Sequence, residues 1–330
     1  MKLVTFAGAR AEQRVGVVVG AAGAERVLDL AGAAERAGKP TQALASMLAL
    51  IEAGPAGLDL ARGLAETRAG DDDLSQPLAA ARLLAPVPVP PQMRDFSVFP
   101  GHIINAPVGM RRMVARMKGD EAGALAVTPD ADVPPVYRDK PIYYITNRFS
   151  VVGTGTEVVW PDYSRMMDFE LEFGIILGKG GKDIARHQAK DHIFGYTIFN
   201  DFSARDAQIA EMQGMLGPTK GKSFDAGNAM GPYLVTADAV KDPYALKAVA
   251  KINGETWTDT TTAGMLHSFE DMIAYVSRSE TLHAGEFFGS GTVGGGCGLE
   301  LERFLEAGDV VELTVEGLGT LTNRVVRKDA

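Results

Sequence analysis

The run Asp168-Phe169-Glu170-Leu171-Glu172-Phe173-Gly174-Ile175-Ile176-Leu177 places two carboxylates at i and i+2 inside an otherwise apolar stretch. On a strand, successive side chains face opposite sides, so Glu170 and Glu172 share one face while Phe169, Leu171 and Phe173 share the other. Two adjacent acids repel, and burying either without a partner is costly, so the pair suits either a solvated sheet surface or the neighbourhood of a cation. Alternation of this kind is ordinary on a half-exposed strand, and the pair alone leaves both readings open. Two more acids join it: Asp95 stands before Phe96-Ser97-Val98-Phe99, and Asp201 follows the apolar run Ile193 to Phe199. Hard oxygen donors in that number select Mg²⁺, with Mn²⁺ or Ca²⁺ as alternatives, over zinc or copper.

Composition narrows the classes. With 330 residues, 46% of them hydrophobic, the chain can bury a substantial core as one large domain or two modest ones. A formal charge of −9 without a strongly basic tract argues against nucleic acid or an anionic membrane as partner, and an anionic substrate needs local positive charge. Cys297 is the single cysteine, which excludes an intrachain disulfide and a cysteine zinc cluster and suits a reducing cytoplasm. The apolar run at Met1 is too short for a signal peptide, and no stretch reaches transmembrane length.

Two glycine motifs fail on context. Gly289-Ser290-Gly291-Thr292-Val293-Gly294 matches a dinucleotide fingerprint, but Gly295-Gly296-Cys297-Gly298 follows where a helix must begin. Gly217-Pro218-Thr219-Lys220-Gly221-Lys222-Ser223 has three residues between its glycines where a phosphate loop needs four. No G-x-S-x-G elbow or H-E-x-x-H pair occurs, which leaves serine and zinc hydrolysis without their usual apparatus.

The elements that must carry the acids follow from periodicity. Lys2 to Ala7, Arg14 to Val19 and Val27 to Leu30 read as strands, and Thr41 to Glu52 and Gly57 to Thr67 as helices separated by Gly54-Pro55. Gly70-Asp71-Asp72-Asp73 and the proline-rich Leu84 to Pro91 bracket a domain boundary, giving a small α+β lobe over 1–83 and a catalytic domain over 84–330. The Met- and Arg-rich segment reaching Asp139 reads as a mobile helix and loop of the kind that forms lids. Val151 to Val159 is strand-like, Asn253-Gly254 signals a hairpin, and Ser268 to Arg278 reads as an amphipathic helix.

Met167 to Glu172, Asp191-His192-Ile193-Phe194-Gly195, Asn200-Asp201-Phe202-Ser203-Ala204-Arg205-Asp206 and Gly221-Lys222-Ser223-Phe224 together resemble the fumarylacetoacetate hydrolase family, from about Asp95 to the carboxyl terminus. The resemblance implies an α+β, β-rich fold with a mixed-sheet roll or barrel-like catalytic domain, and a homodimer. It implies that Asp95, Glu170, Glu172 and Asp201 hold a divalent metal, that His102 is a catalytic base oriented by Glu300, and that Lys222 joins them in catalysis. Arg111, Tyr144, Arg205, Gln208 and Thr292 match substrate-binding positions, while His187, His192, His267 and His283 remain structural. The chain departs from the family where two pocket tyrosines are replaced by Ser97 and Met212, and around Leu216 to Thr219.

The activity implied is metal-dependent hydrolysis of a carbon–carbon bond in a 1,3-diketone or 2,4-dioxo acid, a small anionic oxo-acid substrate. The same scaffold also resembles 2-oxo acid decarboxylases, isomerases and sugar-acid dehydratases, which use an enolate without attacking water. A third reading, motivated by the missing tyrosines, is a non-catalytic protein that binds a metal and a small anion.

Overall fold

The computed structural model describes residues 1–328. Strands β1 (Lys2–Ala7), β2 (Gln13–Val19) and β3 (Arg26–Asp29) form an antiparallel meander, followed by helices α1 (Leu30–Arg36), α2 (Met47–Glu52) and α3 (Gly54–Arg68). The single helix expected over Thr41 to Glu52 is interrupted, because Ser46 is extended and its Oγ accepts from the Ala49 N–H at 3.1 Å to cap α2. Gly54-Pro55, expected to separate two helices, instead opens α3. Proline is tolerated there because the first turn leaves its N–H positions unpaired in any case.

After the proline-rich connector come β4 (Met93–Phe96), α4 (Pro100–Met117), β5 (Tyr143–Ile145), β6 (Leu171–Leu177) and β7 (Ile193–Asp201). The frame is completed by α5 (Arg205–Met212), β8 (Asn228–Thr236), β9 (Lys247–Ile252), β10 (Glu255–Thr261), α6 (Phe269–Val276), β11 (Phe287–Gly289), α7 (Gly298–Leu301), β12 (Val310–Val315) and β13 (Gly319–Val326). The hairpin at Asn253-Gly254 joins β9 to β10, and α6 starts with the capping box Ser268 and Asp271 that its sequence encodes.

The main sheet has twelve strands, in the spatial order β3-β2-β1-β8-β7-β6-β11-β4-β5 along its centre, and a second sheet of five strands runs β10-β9-β12-β13 to the short strand Glu157–Val159. The expected β-rich α+β class is what the chain adopts, with open sheets of mixed direction: most neighbours are antiparallel, whereas β11 and β4 are parallel. β1 pairs with β8 through Lys2↔Val235 and Leu3↔Leu234, so the chain on either side of position 83 shares one sheet. Val151 to Val159 divides between the sheets, with Val151–Val152 beside β8 and Glu157–Val159 beside β13.

Both faces of the central strands are apolar and both are covered. On β6, Phe173, Ile175 and Leu177 enter a core shared with the second sheet and with Phe269 of α6, while Ile176 points the other way into a core with Leu30, Leu50 and Leu64 of the N-terminal helices. On β7, Ile198 and Phe199 divide in the same manner. The half-exposed strand allowed for Glu170 and Glu172 is therefore not what forms: every residue of β6 is buried.

The segment reaching Asp139 holds the expected helix, α4, which buries Ile103, Val108 and Met113, and two short helices follow it. Gly109 fixes its position. A Cβ there would lie 2.1 Å from the Leu299 carbonyl oxygen, so glycine is what lets α4 pack directly on α7. Gly109→Ala is therefore expected to destabilise the fold by about 1–3 kcal/mol through overpacking. Gly63→Ala, at an exposed position of α3 with open space around its Cβ, should stabilise it by about 0.5–1 kcal/mol. Urea midpoints of the two variants against the parent check both signs.

Candidate active site and metal centre

Strands β7, β6, β11, β4 and β5 are consecutive in the main sheet, and four of them deliver a polar group at the same end: Asp201, Glu172, Asp95 and Tyr144. The fifth, β11, contributes Gly289. A Cβ at Gly289 would stand 2.4 Å from Asp95 Oδ1, so the missing side chain makes room for that carboxylate.

Asp95, Glu172 and Asp201 each place a carboxylate oxygen within 4.8 Å of the others, and all three residues are buried. Asp95 Oδ1, Glu172 Oε2 and Asp201 Oδ1 have no hydrogen-bond partner among the described residues. Their remaining side-chain partners are few: Thr292 donates to Glu172 Oε1 at 3.3 Å, and the Tyr144 hydroxyl and the Lys222 ammonium donate to Asp201 Oδ2. Buried polar atoms are rarely left in this state. Three buried carboxylates, each with one unpaired oxygen and all with a ligand oxygen within 4.8 Å of the others, fit a hard divalent cation.

Glu170 lies beside the trio but spends its oxygens differently. Its Oε2 is 2.5 Å from Lys222 Nζ and its Oε1 is 2.8 Å from Arg205 Nη2. Lys222 also donates to Asp201 Oδ2 at 2.7 Å and to the Asp201 carbonyl at 3.2 Å, so all three ammonium hydrogens have acceptors. Arg205 is 1% exposed and reaches Asp168 Oδ2 through Nε at 2.7 Å and Gln208 Oε1 through Nη1 at 2.9 Å. With its carbonyl oxygen so used, Gln208 keeps its amide N–H groups as donors where it lines the cavity.

Charge balance decides the protonation states. Burial, reinforced by the Asp201 carboxylate, pushes Asp95 up to about 8. Burial and then Asp95 raise Glu172 well above the usual carboxylate range, and burial raises Asp201 despite Lys222. Glu170 goes the other way: burial opposes its charge, but Lys222 and Arg205 outweigh that and hold it down at about 2. Burial works against the Lys222 ammonium, yet Asp201 and Glu170 keep it firmly protonated. Glu170 thus has both cations beside it, whereas the trio shares one ammonium, at Asp201, and is left short of positive charge.

Across a cavity of about 280 Å³, His102 faces these acids. It sits in the first turn of α4, and its Nδ1 is 2.8 Å from Glu300 Oε1 on α7. Glu300 Oε2 accepts from the Gly295 N–H at 3.0 Å, which fixes the carboxylate as an acceptor for the Nδ1–H of the imidazole and leaves Nε2 to the cavity. Lys222, Gln208, Tyr144 and Thr292 line the same cavity, together with Ser97 and Met212. Arg111, one of the expected substrate-binding residues, lies outside it: it faces a neighbouring groove with Met110 and Met212 and donates to the Thr128 carbonyl at 3.2 Å. Arg205 is not on the cavity wall, being enclosed by Asp168, Glu170 and Gln208.

Two residues near the site carry no expectation from sequence. Asp168 accepts from the Gly298 and Leu299 N–H groups at 2.7 and 2.9 Å while holding Arg205, which ties the helix bearing Glu300 to the carboxylate cluster. Its signal was available, because Asp168 stands two before Glu170 in the same apolar run. Cys297 places its buried Sγ 3.5 Å from Glu300 Oε1.

A buried carboxylate centre opposed by a His–Glu pair, at the end of a mixed sheet, defines a class of proteins with a small-molecule site. Residues 108–326 match the family model described as "Fumarylacetoacetate (FAA) hydrolase C-terminal", and the chain belongs to that family. It is 29% identical over 307 residues to oxaloacetate tautomerase YisK of Bacillus subtilis (strain 168), spanning 91% of this chain and 93% of that protein. Among solved structures it resembles the fumarylacetoacetate hydrolase of psychrophilic Exiguobacterium antarcticum, with 28% identity, a TM-score of 0.71 and coverage of 99% of this chain and 100% of that one. It shares its fold with maleylpyruvate hydrolase from Sphingobium sp. SYK-6, a structure in complex with manganese(II) ion and pyruvate, at 24% identity, a TM-score of 0.69 and full coverage of both chains. No helix among the described residues is long and apolar enough to cross a membrane.

The raised carboxylates predict how stability follows pH when divalent cations are removed. Asp95 keeps its proton in the folded chain up to about 8, whereas in the unfolded chain it loses it near 3.9. Between those limits the folded state binds more protons than the unfolded one, so this group's contribution is full at low pH and is lost as pH rises toward 8. Melting curves in chelator should show that decline, and Mg²⁺ or Mn²⁺ should raise the melting temperature most at the alkaline end. A cation effect independent of pH would contradict this picture.

Proposed function

We propose that the chain is a divalent-metal-dependent hydrolase that cleaves a carbon–carbon bond in a 2,4-dioxo acid or related 1,3-diketone. The observation that carries the base chemistry is the His102–Glu300 pair facing Asp95, Glu172 and Asp201 across one cavity, and the small Ser97 on the wall of that cavity, which leaves volume for a water, favours hydrolysis. Those three acids would hold the cation, with Glu170 beside them, and Mg²⁺ or Mn²⁺ suits an all-oxygen donor set. The chemistry that a divalent cation supplies there is Lewis-acid polarisation of a carbonyl oxygen.

The chain's own residues account for the proton movements. Glu300 holds the Nδ1–H of His102, leaving Nε2 as the base that takes a proton from water while the oxygen attacks the acyl carbonyl. Gln208 has free donors for the oxyanion that develops, and Lys222 contributes a fixed positive charge beside it. Cleavage sends the bonding electrons to the carbon between the two carbonyls, and the imidazolium of His102 returns its proton to that carbon. The products are a carboxylic acid and a 2-oxo acid.

A second reading is supported by the similarity to a tautomerase along nearly the whole chain. In it His102 moves a proton between carbon and the enol oxygen of a 2-oxo dicarboxylic acid, and no water is attacked. Both reactions need the same base, so its removal tests the shared part. His102→Ala should lower kcat by about 10²- to 10⁴-fold while the cation-induced rise in melting temperature persists; undiminished turnover would remove His102 from its role. Reaction of acylpyruvates in ¹⁸O-labelled water separates the two readings. Label in the released carboxylic acid supports hydrolysis, and enol consumption without labelled acid supports tautomerisation.

A further inference from the structure

His102, Cys297 and Glu300 form a second group of metal-ligating side chains beside the carboxylate trio, with different chemistry. Cys297 caps the start of α7 and Glu300 follows three residues later, on the same side of that turn. The Sγ–Oε1 separation is 3.5 Å, Nδ1 of His102 is 2.8 Å from Oε1, and Sγ is 3.9 Å from Nδ1. Ligands around one tetrahedral Zn²⁺, with metal–ligand distances of about 2.0–2.3 Å, are themselves about 3.3–3.6 Å apart. The triangle already has nearly that size, so an ion could enter with shifts of about half an ångström in the side chains.

The donor types and charges agree with this geometry. Sulfur, nitrogen and one carboxylate oxygen favour Zn²⁺ over Mg²⁺, whereas the neighbouring trio offers oxygen alone. A cysteine thiolate and a glutamate together neutralise a divalent ion, which makes the complex tolerable among buried groups. Cys297 is fully enclosed and the Glu300 side chain is 2% exposed, so the ion would reach the triangle by displacing the His102 side chain, which is 16% exposed and lines the cavity.

We propose that Cys297, His102 and Glu300 constitute a second cation site, selective for Zn²⁺ and similar thiophilic ions, whose occupation silences the His102 base. Binding releases the Cys297 thiol proton to solvent. It also takes the Nδ1 lone pair, so the imidazole proton moves from Nδ1 to Nε2, and the nitrogen that faced the cavity as a base becomes a donor. Because the thiol proton must leave when the ion enters, binding tightens as pH rises. The silencing rests on the reading of His102 as the base; the binding does not.

The test uses the full chain in excess Mg²⁺. Titration with Co²⁺ should produce a near-ultraviolet thiolate-to-cobalt charge-transfer band that Zn²⁺ then abolishes, and Cys297→Ser should lack the band. In parallel, Zn²⁺ should inhibit turnover of the parent, while Cys297→Ser keeps its Mg²⁺-supported turnover and needs about 100-fold more Zn²⁺ for the same inhibition. No band in the parent, or a band that survives in Cys297→Ser, overturns the site. A Cys297-dependent band with undiminished turnover upholds the site and overturns His102 as the base, so the two failures are distinguishable.

Discussion

Five carboxylates, Asp95, Asp168, Glu170, Glu172 and Asp201, are buried at one end of the main sheet with two cations, Arg205 and Lys222, among them. Each buried ion costs several kcal/mol unless it is paired. Arg205 pairs with Asp168 and Glu170, and Lys222 with Glu170 and Asp201; only Glu170, which has both, is held below the ordinary carboxylate range, while burial raises Asp95, Asp168, Glu172 and Asp201. The fold sustains the shortage because the strands carrying the acids are hydrogen-bonded neighbours whose two faces are packed by the second sheet and by the N-terminal helices. Protons or a divalent cation are the remaining ways to neutralise the cluster.

Asp168 connects this cluster to the opposing pair. One of its oxygens holds Arg205 and the Leu299 N–H, and the other accepts the Gly298 N–H, so the helical turn bearing Glu300 is anchored to the same group that orients Arg205 against Glu170. From the other side, α4 reaches that turn at Gly109, where nothing larger fits. The distance between His102 and the acids is therefore set by contacts at Asp168 and Gly109, neither of which lines the cavity.

The parts of this that could be read from the sequence are those governed by short-range pattern. Glu170 and Glu172 in an apolar run, Asp201 at the end of another, the capping box at Ser268 and the hairpin at Asn253-Gly254 each follow from periodicity or turn chemistry. The layer covering β6 was not readable, because Ile176 and Leu50 meet only after the N-terminal helices dock. Nor could spacing show that Lys222 has no spare hydrogen or that Arg111 turns toward Thr128, since both depend on how distant elements are oriented. The division of Val151 to Val159 between two sheets has the same origin: local β-propensity continues across it, and the partner strands are different.

The hydrolase and tautomerase readings part company away from the His102–Glu300 pair. Both oxygens of Glu300 are committed, one to Nδ1 and one to the Gly295 N–H, so the carboxylate can fix the imidazole tautomer for either reaction but cannot choose between them. The choice depends on whether a water can stand between Nε2 and the carbonyl, and that is controlled by the groups filling the rest of the cavity. Ser97 and Met212 occupy wall positions there, the first small and polar, the second flexible and shared with the groove that holds Arg111. A small residue near the base leaves volume for water, whereas a methionine can fold inward and expel it. Discrimination between water attack and simple proton return thus falls to side chains that carry no charge.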